Sequence, residues 1–415
     1  MVFTRNVIIA LACIGFVVVS IAVCTPLLNN KYTSHNIIRE NLTTPPPLRH
    51  FLVTGGAGFI GSHATAYLLD QGHRVTVVDN LSRGSMQPIR VLTQAYSTKF
   101  QFYNVNIGNA TALDAIFSKH RFDAVWHFAA VAFTKESVEK PELYHKNITV
   151  NTQRLAETMI KHNVPELVYS STCAVYGVPD ILPITEDTPT NPANPYGAAK
   201  LAAEMILKKM TTPTFKVRIL RYFNVIGAHP FAMMGENPRP GLKQYSRLWT
   251  VCADTLQGDT VQSVPIRGYN FKTVDGTAAR DYVHVWDLVR AHLAVMSAPG
   301  HFSLYNVATG KSSTVKQFVD ACMAVSGKEI RVKYNPAHSY DPPILYADPT
   351  KIQTELNWKP SFENIVDSLR TSWHYVAAKK KKKKEEECIL QSTTKSSGIQ
   401  KGNKSFWTFL EETRK

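Results

Sequence analysis

A glycine-rich turn between a β-rich run and a helical stretch constrains the fold more strongly than any other feature of the chain. Residues 49–54 read RHFLVT, and GGAGFIG follows directly at residues 55–61. Gly55, Gly58 and Gly61 repeat at intervals of three residues within this turn. Such glycines permit a tight turn and let the backbone approach a pyrophosphate, and the following helix directs amide groups at the phosphates. The sequence therefore predicts a dinucleotide-binding βαβ unit.

The segments after the turn also indicate a dinucleotide fold. A second β-rich run at residues 74–78 ends in Asp79, 18 residues beyond Gly61. A carboxylate at this spacing can accept hydrogen bonds from the adenosine ribose and repels a 2′-phosphate, which favours NAD over NADP. Further β-rich runs alternate with helical stretches, so we expect an α/β fold with a doubly wound parallel sheet covered on both faces. These runs lie at residues 100–105, 124–128, 166–170 and 216–220.

A tyrosine and a lysine four residues apart indicate proton-transfer chemistry. Tyr196 and Lys200 stand in YGAAK, a spacing that places both side chains on one face of a helix. A free phenol with a pKa of about 10 is a poor base at neutral pH, and a nearby ammonium favours the phenolate. Thr172 follows an apolar strand, at the edge where such sheets place ligands, and can bond the reacting oxygen. We expect these three residues to be catalytic; a surface Tyr/Lys pair and a strand-end turn are the structural alternatives.

The N-terminal region has the composition of a membrane anchor followed by a linker. Arg5 precedes an apolar run at residues 7–24 that only Ser20 interrupts. Eighteen residues at about 1.5 Å rise cover roughly 27 Å, the short end of what crosses a bilayer. We expect an uncleaved signal anchor, a transmembrane helix, at residues 1–25 and a stem linker at residues 26–47. A cleaved signal peptide and a buried helix are the alternatives.

The net charge of +15 does not indicate a nucleic-acid partner, because much of it is terminal. Six lysines at residues 379–384 begin a low-complexity charged tail, residues 379–415, which carries +6, and residues 1–47 carry +2. A solvated tail is the preferred interpretation and a polybasic membrane contact the alternative. The six cysteines form no C-x-x-C or Cys/His cluster, so we expect neither a disulfide-stapled small protein nor a metal site.

Eight segments spread over residues 53–360 carry a family resemblance. From about residue 49 to 376 the chain resembles the extended short-chain dehydrogenase/reductases, and within them the UDP-glucose 4-epimerase family. Details such as AAVAF, STCAVYG and RYFNVIG, with the N-terminal apolar run, look closest to the plant-type Golgi UDP-arabinose 4-epimerases. The segments are VTGGAGFIGSH (53–63), VVDNLSRG (77–84), HFAA (127–130), SSTCAVYG (170–177), NPYGAAK (194–200), LRYFNVIGAHP (220–230), DGTAARDYVHVWDL (275–288) and LNWKP (356–360).

The resemblance implies NAD-dependent epimerisation at C4 of a UDP-sugar through a 4-keto intermediate. Tyr196 would take the C4 hydroxyl proton, Thr172 would share the substrate oxygen, and Lys200 would depress the pKa of Tyr196 and hold the nicotinamide ribose. UDP-xylose/UDP-arabinose is the expected pair, with UDP-glucose/UDP-galactose as the alternative. It also implies a Rossmann NAD domain at residues 48–226, a smaller mixed α/β UDP-sugar lobe at residues 227–378, a homodimer, and a Golgi membrane location with a lumenal catalytic domain.

Site residues follow from the same resemblance. Those expected to line the NAD site are Gly55, Gly58, Phe59, Ile60, Gly61, Asp79, Asn80, Leu81, Ser82, Arg83, Gly84, Asn106, Ile107, Phe128, Ala129, Ala130, Ala132, Asn147, Tyr196, Lys200 and Phe223. Those expected to hold the UDP-sugar are Thr172, Asn224, Arg247, Arg280, Tyr282, His338, Asp341 and Leu345.

Four positions depart from the family pattern. Asn106 replaces an aspartate that reads the adenine amine, and Ala132 stands where some members have a lysine. His338 replaces an arginine that grips the UDP diphosphate, which a histidine cannot do in a bidentate way, so Arg247 or Arg267 would have to compensate. Leu345 aligns with the position that gates 2-N-acetyl sugars and is smaller than the tyrosine of strictly non-acetylated epimerases.

Two rival enzyme activities are disfavoured, and one rival class stays open. A nucleotide-sugar 4,6-dehydratase needs an Asp-Glu pair directly after the catalytic threonine, whereas Cys173-Ala174 follows Thr172 here. Decarboxylation of a UDP-uronate also requires an acid in this region. A binding protein for NAD or a nucleotide sugar without turnover is the alternative of a different class, motivated by His338 and the tail.

Overall fold

The computed structural model of the chain describes residues 47–396, apart from residue 246, residues 259–262 and residues 338–341. The predicted signal anchor at residues 1–25, almost all of the stem linker and the last part of the tail, residues 397–415, lie outside the described residues. Within the described ranges, no helix has the length and the apolar character needed to cross a membrane.

A parallel sheet of seven strands lies at the centre of the structure. From one edge to the other its strands are β10 (Phe302–Val307), β6 (Lys216–Tyr222), β5 (Glu166–Ser170), β4 (Ala124–His127), β1 (His50–Thr54), β2 (Arg74–Asp79) and β3 (Phe100–Asn104). The strand order reverses between β1 and β4, which pair in parallel with Leu52 opposite Val125. A crevice forms outside the carboxyl ends of two strands at such a reversal, and ligands of doubly wound sheets bind there. The predicted doubly wound sheet is confirmed.

Helices cover both faces of this sheet. On one face, α3 (Ala110–Lys119), α6 (Asn151–Lys161) and α7 (Pro195–Met210) bury apolar side chains against Leu52 and Val125. On the other face, α1 (Phe59–Asp70) packs against α9 (Val285–Ala294), and the Trp126 ring contacts His292 of α9. The other helices described are α2 (Met86–Ala95), α4 (Thr134–Glu139), α5 (Pro141–Tyr144), α8 (Leu248–Gln257), α10 (Val315–Ser326), α11 (Thr350–Leu356) and α12 (Ile365–Ser396), with a π-helical segment at His145–Val150 and 3₁₀ turns at Cys173–Val175, Pro240–Tyr245 and Val295–Ser297.

The C-terminal elements build a smaller structure with two short sheets. β9 (Ala279–His284) pairs with β7 (Asn224–Ile226), β11 (Ser312–Thr314) and β13 (Ile344–Leu345). β8 (Val264–Arg267) pairs in parallel with β12 (Val332–Asn335). Side chains of α8, α10 and α12 pack with the buried residues of β8 in a separate apolar cluster that includes Trp249 and Phe318. These elements lie where the sequence predicts a mixed α/β lobe, whose boundaries stay a prediction.

One strand lies elsewhere than the sequence indicates. The apolar run at residues 305–308 falls in the segment assigned to the C-terminal lobe, but β10 pairs with β6 at the edge of the central sheet, with Tyr305 opposite Leu220. Assigning β10 to the lobe is therefore wrong. β10 and β6 are far apart in the sequence, and their pairing covers a side of β6 that would otherwise be an open sheet edge. The local residue pattern of β10 does not specify which strand it pairs with.

Candidate active site

A cavity of about 670 Å³ lies at the carboxyl ends of the central strands. The glycine turn forms one end of it, and Arg280, Tyr282 and Phe318 of the C-terminal elements form the other. Tyr196 and Lys200 of α7 line the same cavity. The predicted dinucleotide turn, the predicted catalytic pair and the residues predicted to hold the substrate therefore all line the same cavity.

Backbone groups approach one another very closely at the glycine turn. The Gly58 amide donates to the Gly55 carbonyl oxygen over 3.1 Å, and α1 begins at the next residue. A Cβ added at Gly61 would lie 2.2 Å from that carbonyl oxygen, and one at Gly55, whose φ is +74°, would lie 2.6 Å from the Ala129 amide nitrogen. Only glycine fits at both positions, so the bare backbone leaves a cradle at the N-terminus of α1. This cradle fits a dinucleotide pyrophosphate.

Asp79 holds the glycine turn as well as ending β2. Its Oδ2 accepts from the Ala57 amide over 3.0 Å, and its Oδ1 accepts from the Leu81 amide over 2.7 Å. Burial raises the pKa of Asp79, and these two hydrogen bonds oppose that rise. Each carboxylate oxygen still has a second lone pair, so both remain able to accept from ribose hydroxyls.

The wall of the cavity contains thirteen of the residues expected at the NAD site. They are Gly55, Gly58, Phe59, Ile60, Gly61, Arg83, Gly84, Phe128, Ala130, Ala132, Tyr196, Lys200 and Phe223. The other eight, which the cavity wall does not include, are Asp79, Asn80, Leu81, Ser82, Asn106, Ile107, Ala129 and Asn147.

Several of these remaining residues support the loops around the cavity. Asn147 Oδ1 accepts from the Val131 amide over 2.9 Å, and Asn106 Oδ1 accepts from the Gly108 amide over 2.9 Å. Asn80 Oδ1 accepts from the Ser82 amide over 3.0 Å. The Oδ1 atoms of these three asparagines therefore accept hydrogen bonds from the backbone of the loops, which helps to hold the loops in place.

The catalytic candidates come from two neighbouring elements. Asn194 caps α7, accepting from the Gly197 amide over 3.0 Å, so the helix begins just before Tyr196. Tyr196 and Lys200 then fall on one face, as their spacing predicts. Thr172 precedes the 3₁₀ turn at Cys173–Val175 and accepts from the Ala174 amide over 3.2 Å, which holds it at the end of β5.

Lys200 is buried, and its ammonium group has two defined contacts. Its Nζ donates to the Ser170 carbonyl oxygen over 2.6 Å and lies 4.8 Å from the centre of the Tyr169 ring. Burial lowers the pKa of Lys200 to about 7, while the charge of Glu204, one helical turn away, raises it. The ammonium is therefore fixed by β5 rather than by Tyr196.

The pKa of Tyr196 moves in the direction opposite to the predicted one. Burial raises the pKa of Tyr196 to about 12, and a hydrogen bond with Thr172 and the charge of Arg247 lower it. The net direction differs from the expected one because burial outweighs the groups that lower this pKa, while Lys200 donates to the Ser170 carbonyl oxygen. The role expected for Lys200 stays a prediction. Helical spacing places the two groups on one face, but it carries no information about desolvation.

A buried ion pair stabilises the strand ends behind Lys200. Arg221 of β6 donates to both carboxylate oxygens of Glu204, with Nη2 2.6 Å from Oε2. Ser171 also donates to Glu204. Both charged side chains are almost fully buried, so removing either would leave an uncompensated charge in the core.

The substrate end of the cavity is rich in arginine. Arg247 Nη1 lies 2.6 Å from Glu236 Oε1, and Arg280 Nη1 donates to the Ala279 carbonyl oxygen over 2.8 Å. Six of the eight residues expected to hold the UDP-sugar line the cavity: Thr172, Asn224, Arg247, Arg280, Tyr282 and Leu345. The other two, His338 and Asp341, lie outside the described residues.

Other residues of the wall were not predicted as site residues. Tyr222 lines the cavity and shares a hydrogen bond with the Ser170 hydroxyl; its place in the RYFN segment, next to Phe223, was the available signal. Glu236 lines the cavity as the partner of Arg247, and nothing in the sequence pairs the two residues. Lys135 also lines the cavity, three residues after Ala132.

Comparison with known proteins agrees with this arrangement. Residues 51–308 match the NAD dependent epimerase/dehydratase family. UDP-arabinose 4-epimerase 1 of Arabidopsis thaliana is 47% identical over 335 residues, which cover 80% of this chain and 80% of that protein.

Two solved structures are similar over four-fifths of the chain. The UDP-glucose 4-epimerase of Bifidobacterium longum in complex with NAD⁺ and UDP has a TM-score of 0.74 at 34% identity, covering 79% of this chain and 98% of that one. The UDP-glucose-4-epimerase of Stenotrophomonas maltophila with bound NAD and formylated UDP-arabinopyranose has a TM-score of 0.75 at 31% identity, covering 80% of this chain and 99% of that one.

The glycine turn makes a testable prediction about cofactor retention. In the Gly61→Ala variant the new Cβ meets the Gly55 carbonyl oxygen, so the turn must open and the cradle is lost. We expect the NAD content of the purified variant to be about a tenth of the wild-type content or lower. The NAD content is measured by chromatography of the nucleotide released when the protein is denatured. Gly241→Ala is the matched control, because a Cβ at Gly241 meets no atom within 4 Å. Equal NAD content in Gly61→Ala and wild type would contradict the role of the turn.

Proposed function

Because this chain belongs to the NAD dependent epimerase/dehydratase family, we propose that it interconverts UDP-arabinose and UDP-xylose by epimerisation at C4. A 47% identical relative is a UDP-arabinose 4-epimerase, and similar solved structures are UDP-sugar 4-epimerases with NAD. The observation that carries the proposal is the single cavity that holds the glycine turn, Tyr196 with Thr172, and the arginine-rich substrate end.

The residues present fit NAD as the cofactor. The glycine cradle at the start of α1 would hold the pyrophosphate, and Asp79 would accept from the adenosine ribose. Lys200, which lines the same cavity, would hold the nicotinamide ribose. Bound NAD supplies a reversible hydride acceptor, so the sugar can pass through a 4-keto state without net oxidation.

Tyr196 and Thr172 provide the proton chemistry at C4. Tyr196 as phenolate takes the proton of the C4 hydroxyl and later returns it, while Thr172 shares the same oxygen. A buried phenol with a pKa of about 12 is protonated at neutral pH, so the base form requires nearby positive charge. In the described residues, Arg247 is the cation that lowers this pKa.

The arginine-rich end suits the nucleotide part of a UDP-sugar. Arg247 and Arg280 present guanidinium groups to the cavity, and a diphosphate is the kind of anion that such groups bind in a bidentate way. Tyr282 and Phe318 add aromatic surface, with ring centres 4.9 Å apart. The sugar would then point from this end towards Tyr196.

The side chains that line the cavity near Thr172 would select the sugar. Cys173 and Leu345 line the cavity there and are largely buried. Neither offers a charged group, so a neutral pentose or hexose fits this wall. The pentose pair is our proposal; UDP-glucose/UDP-galactose is the second candidate, favoured by the UDP-glucose 4-epimerases among the similar structures.

We also propose a membrane-anchored protein of the Golgi lumen that forms a homodimer. The apolar run at residues 7–24 supports the anchor. Exposed apolar side chains on neighbouring helices support the dimer, because such side chains are commonly buried between subunits. These are Val138 of α4, Leu143 of α5, Ile160 of α6 and Met205 of α7.

The Tyr196→Phe variant tests the enzyme assignment. Loss of the phenolic oxygen removes the base but leaves the NAD cradle, so interconversion of UDP-sugars falls by about 10³-fold or more while NAD content is unchanged. UDP-xylose, UDP-glucose and UDP-N-acetylglucosamine are supplied in turn and the products separated by chromatography. Tyr334→Phe, at an exposed position, is the control. Wild-type protein that binds NAD and UDP without converting any of these sugars would be the binding protein and not the enzyme.

The Arg247→Gln variant tests the electrostatics of Tyr196. Removing this cation raises the pKa of Tyr196, so the phenolate fraction falls and the acidic limb of the kcat–pH profile moves to higher pH. Because the Arg247 side chain is 40% exposed, we expect only about a two- to fivefold loss of kcat at pH 7 with saturating substrate. An unshifted profile would show that Arg247 does not tune the phenol.

Glycosylation tests the lumenal location. Asn109 stands in an N-x-T sequon, is exposed, and accepts from the Ala112 amide only through its oxygen, so its nitrogen is accessible. We expect the full-length chain in eukaryotic cells to resist carbonate extraction and to carry an endoglycosidase-sensitive glycan that Asn109→Gln removes. An unglycosylated, carbonate-extractable chain would contradict the anchor and the lumen together.

A further inference from the structure

The last helix, α12, packs against one wall of the cavity. Tyr375 of this helix contacts Gly235, where an added Cβ would lie 2.4 Å from the Tyr375 ring. One helical turn further along, Lys379 Nζ donates to Asn237 Oδ1 over 2.8 Å. Both Gly235 and Asn237 line the cavity. This face of α12 therefore lies against the cavity wall, and exposed Lys379 stands at its rim.

A run of lysines begins at this rim. Residues 379–384, the lysine run, are all lysine and all exposed. Lys382 and Lys383 follow Lys379 by three and four residues, so they fall on the same face of the helix, about 6 Å further along its axis. This distance is shorter than the Debye length of about 8 Å at physiological ionic strength. The charges of the lysine run therefore act at the rim of the cavity.

Three glutamates follow the lysine run but do not cancel its charge. Residues 379–387 contain six lysines and three glutamates, which leaves a net charge of +3. Lys381 and Glu385 are 4.0 Å apart, Lys383 and Glu387 are 3.9 Å apart, and all four side chains are exposed. Exposed pairs of this kind are weak, because solvent screens both charges. The helix therefore keeps a positive surface beside the cavity.

We propose that the lysine run is a steering surface that draws the diphosphate of a UDP-sugar to the cavity and speeds its binding. The inference rests on the proposed function and assigns capture of its substrate to the charged tail. Charge of one sign beside a cleft raises the local concentration of an oppositely charged ligand and its association rate. Positive charge continues inward, because Asn237, which Lys379 contacts, follows Glu236, the partner of Arg247.

Stopped-flow association of UDP with the full-length, NAD-loaded protein tests this surface. Tryptophan fluorescence reports binding, because Trp249 lines the cavity. One variant combines Lys380→Gln, Lys382→Gln and Lys383→Gln and keeps Lys379. We expect its association rate constant for UDP to be about three- to tenfold lower than that of the wild type at low salt, with an unchanged dissociation rate. Near 1 M salt, where the Debye length is about 3 Å, the two rates should be equal. Uncharged uridine should bind both proteins at the same rate.

Two control variants separate local charge from net charge. Glu385→Gln, Glu386→Gln and Glu387→Gln together make the same helix more positive, so UDP association at low salt should become faster, by about twofold or more. The second control removes three positive charges elsewhere on the surface and should bind UDP at a rate within about twofold of the wild type. It replaces three exposed lysines that are not part of the cavity wall, Lys99, Lys119 and Lys209, with glutamine.

Four outcomes would overturn the proposal. They are a wild-type association rate for UDP in the lysine variant, a loss that high salt does not remove, an equal loss for uridine or in the second control, and no UDP binding by the wild type. NAD content and circular dichroism verify that each variant is folded, and if the lysine variant is misfolded the glutamate variant decides. Epimerisation is measured separately, so a wild type that binds UDP without turnover contradicts the proposed function while the UDP rates still test the lysine run.

Discussion

The contact between the first turn of α1 and the carbonyl group of Gly55 is the constraint on which the site depends. It requires glycine at residue 61, brings the start of the helix against the end of β1, and leaves bare amide groups beside the strand-order reversal. Asp79 reinforces the same turn through the Ala57 amide. The same cavity that this backbone cradle lines is also lined by Tyr196 and Lys200 of α7 and by Arg280 and Tyr282 of the C-terminal elements.

Burial, rather than the distance between Tyr196 and Lys200, dominates the electrostatics of the catalytic pair. It raises the pKa of Tyr196 to about 12 and lowers the pKa of Lys200 to about 7, so burial disfavours the charged form of each group. Binding of a charged ligand therefore strongly shifts the protonation equilibria of Tyr196 and Lys200. Lys200 donates to Ser170 and Arg247 pairs with Glu236, which fixes both cations before substrate arrives.

Features encoded by local pattern could be predicted from the sequence, and features that depend on distant contacts could not. The glycine turn, the strand alternation and the one-turn spacing of Tyr196 and Lys200 were all predicted. The pairing of β10 with β6 and the ion pair of Arg247 with Glu236 could not be predicted, because the sequence around each partner does not indicate the other. The direction of the Tyr196 pKa was missed because desolvation depends on the whole surrounding structure.

The position of β10 also affects how the chain assembles during synthesis. Its residues leave the ribosome about 80 residues after those of β6, which at roughly 5–20 residues per second is a delay of about 4–16 seconds. Throughout that interval the hydrogen-bonding groups along one side of β6 lack their final neighbour. An unpaired strand of this kind attracts other nascent chains. The last strand to join the sheet is therefore also its protection against aggregation.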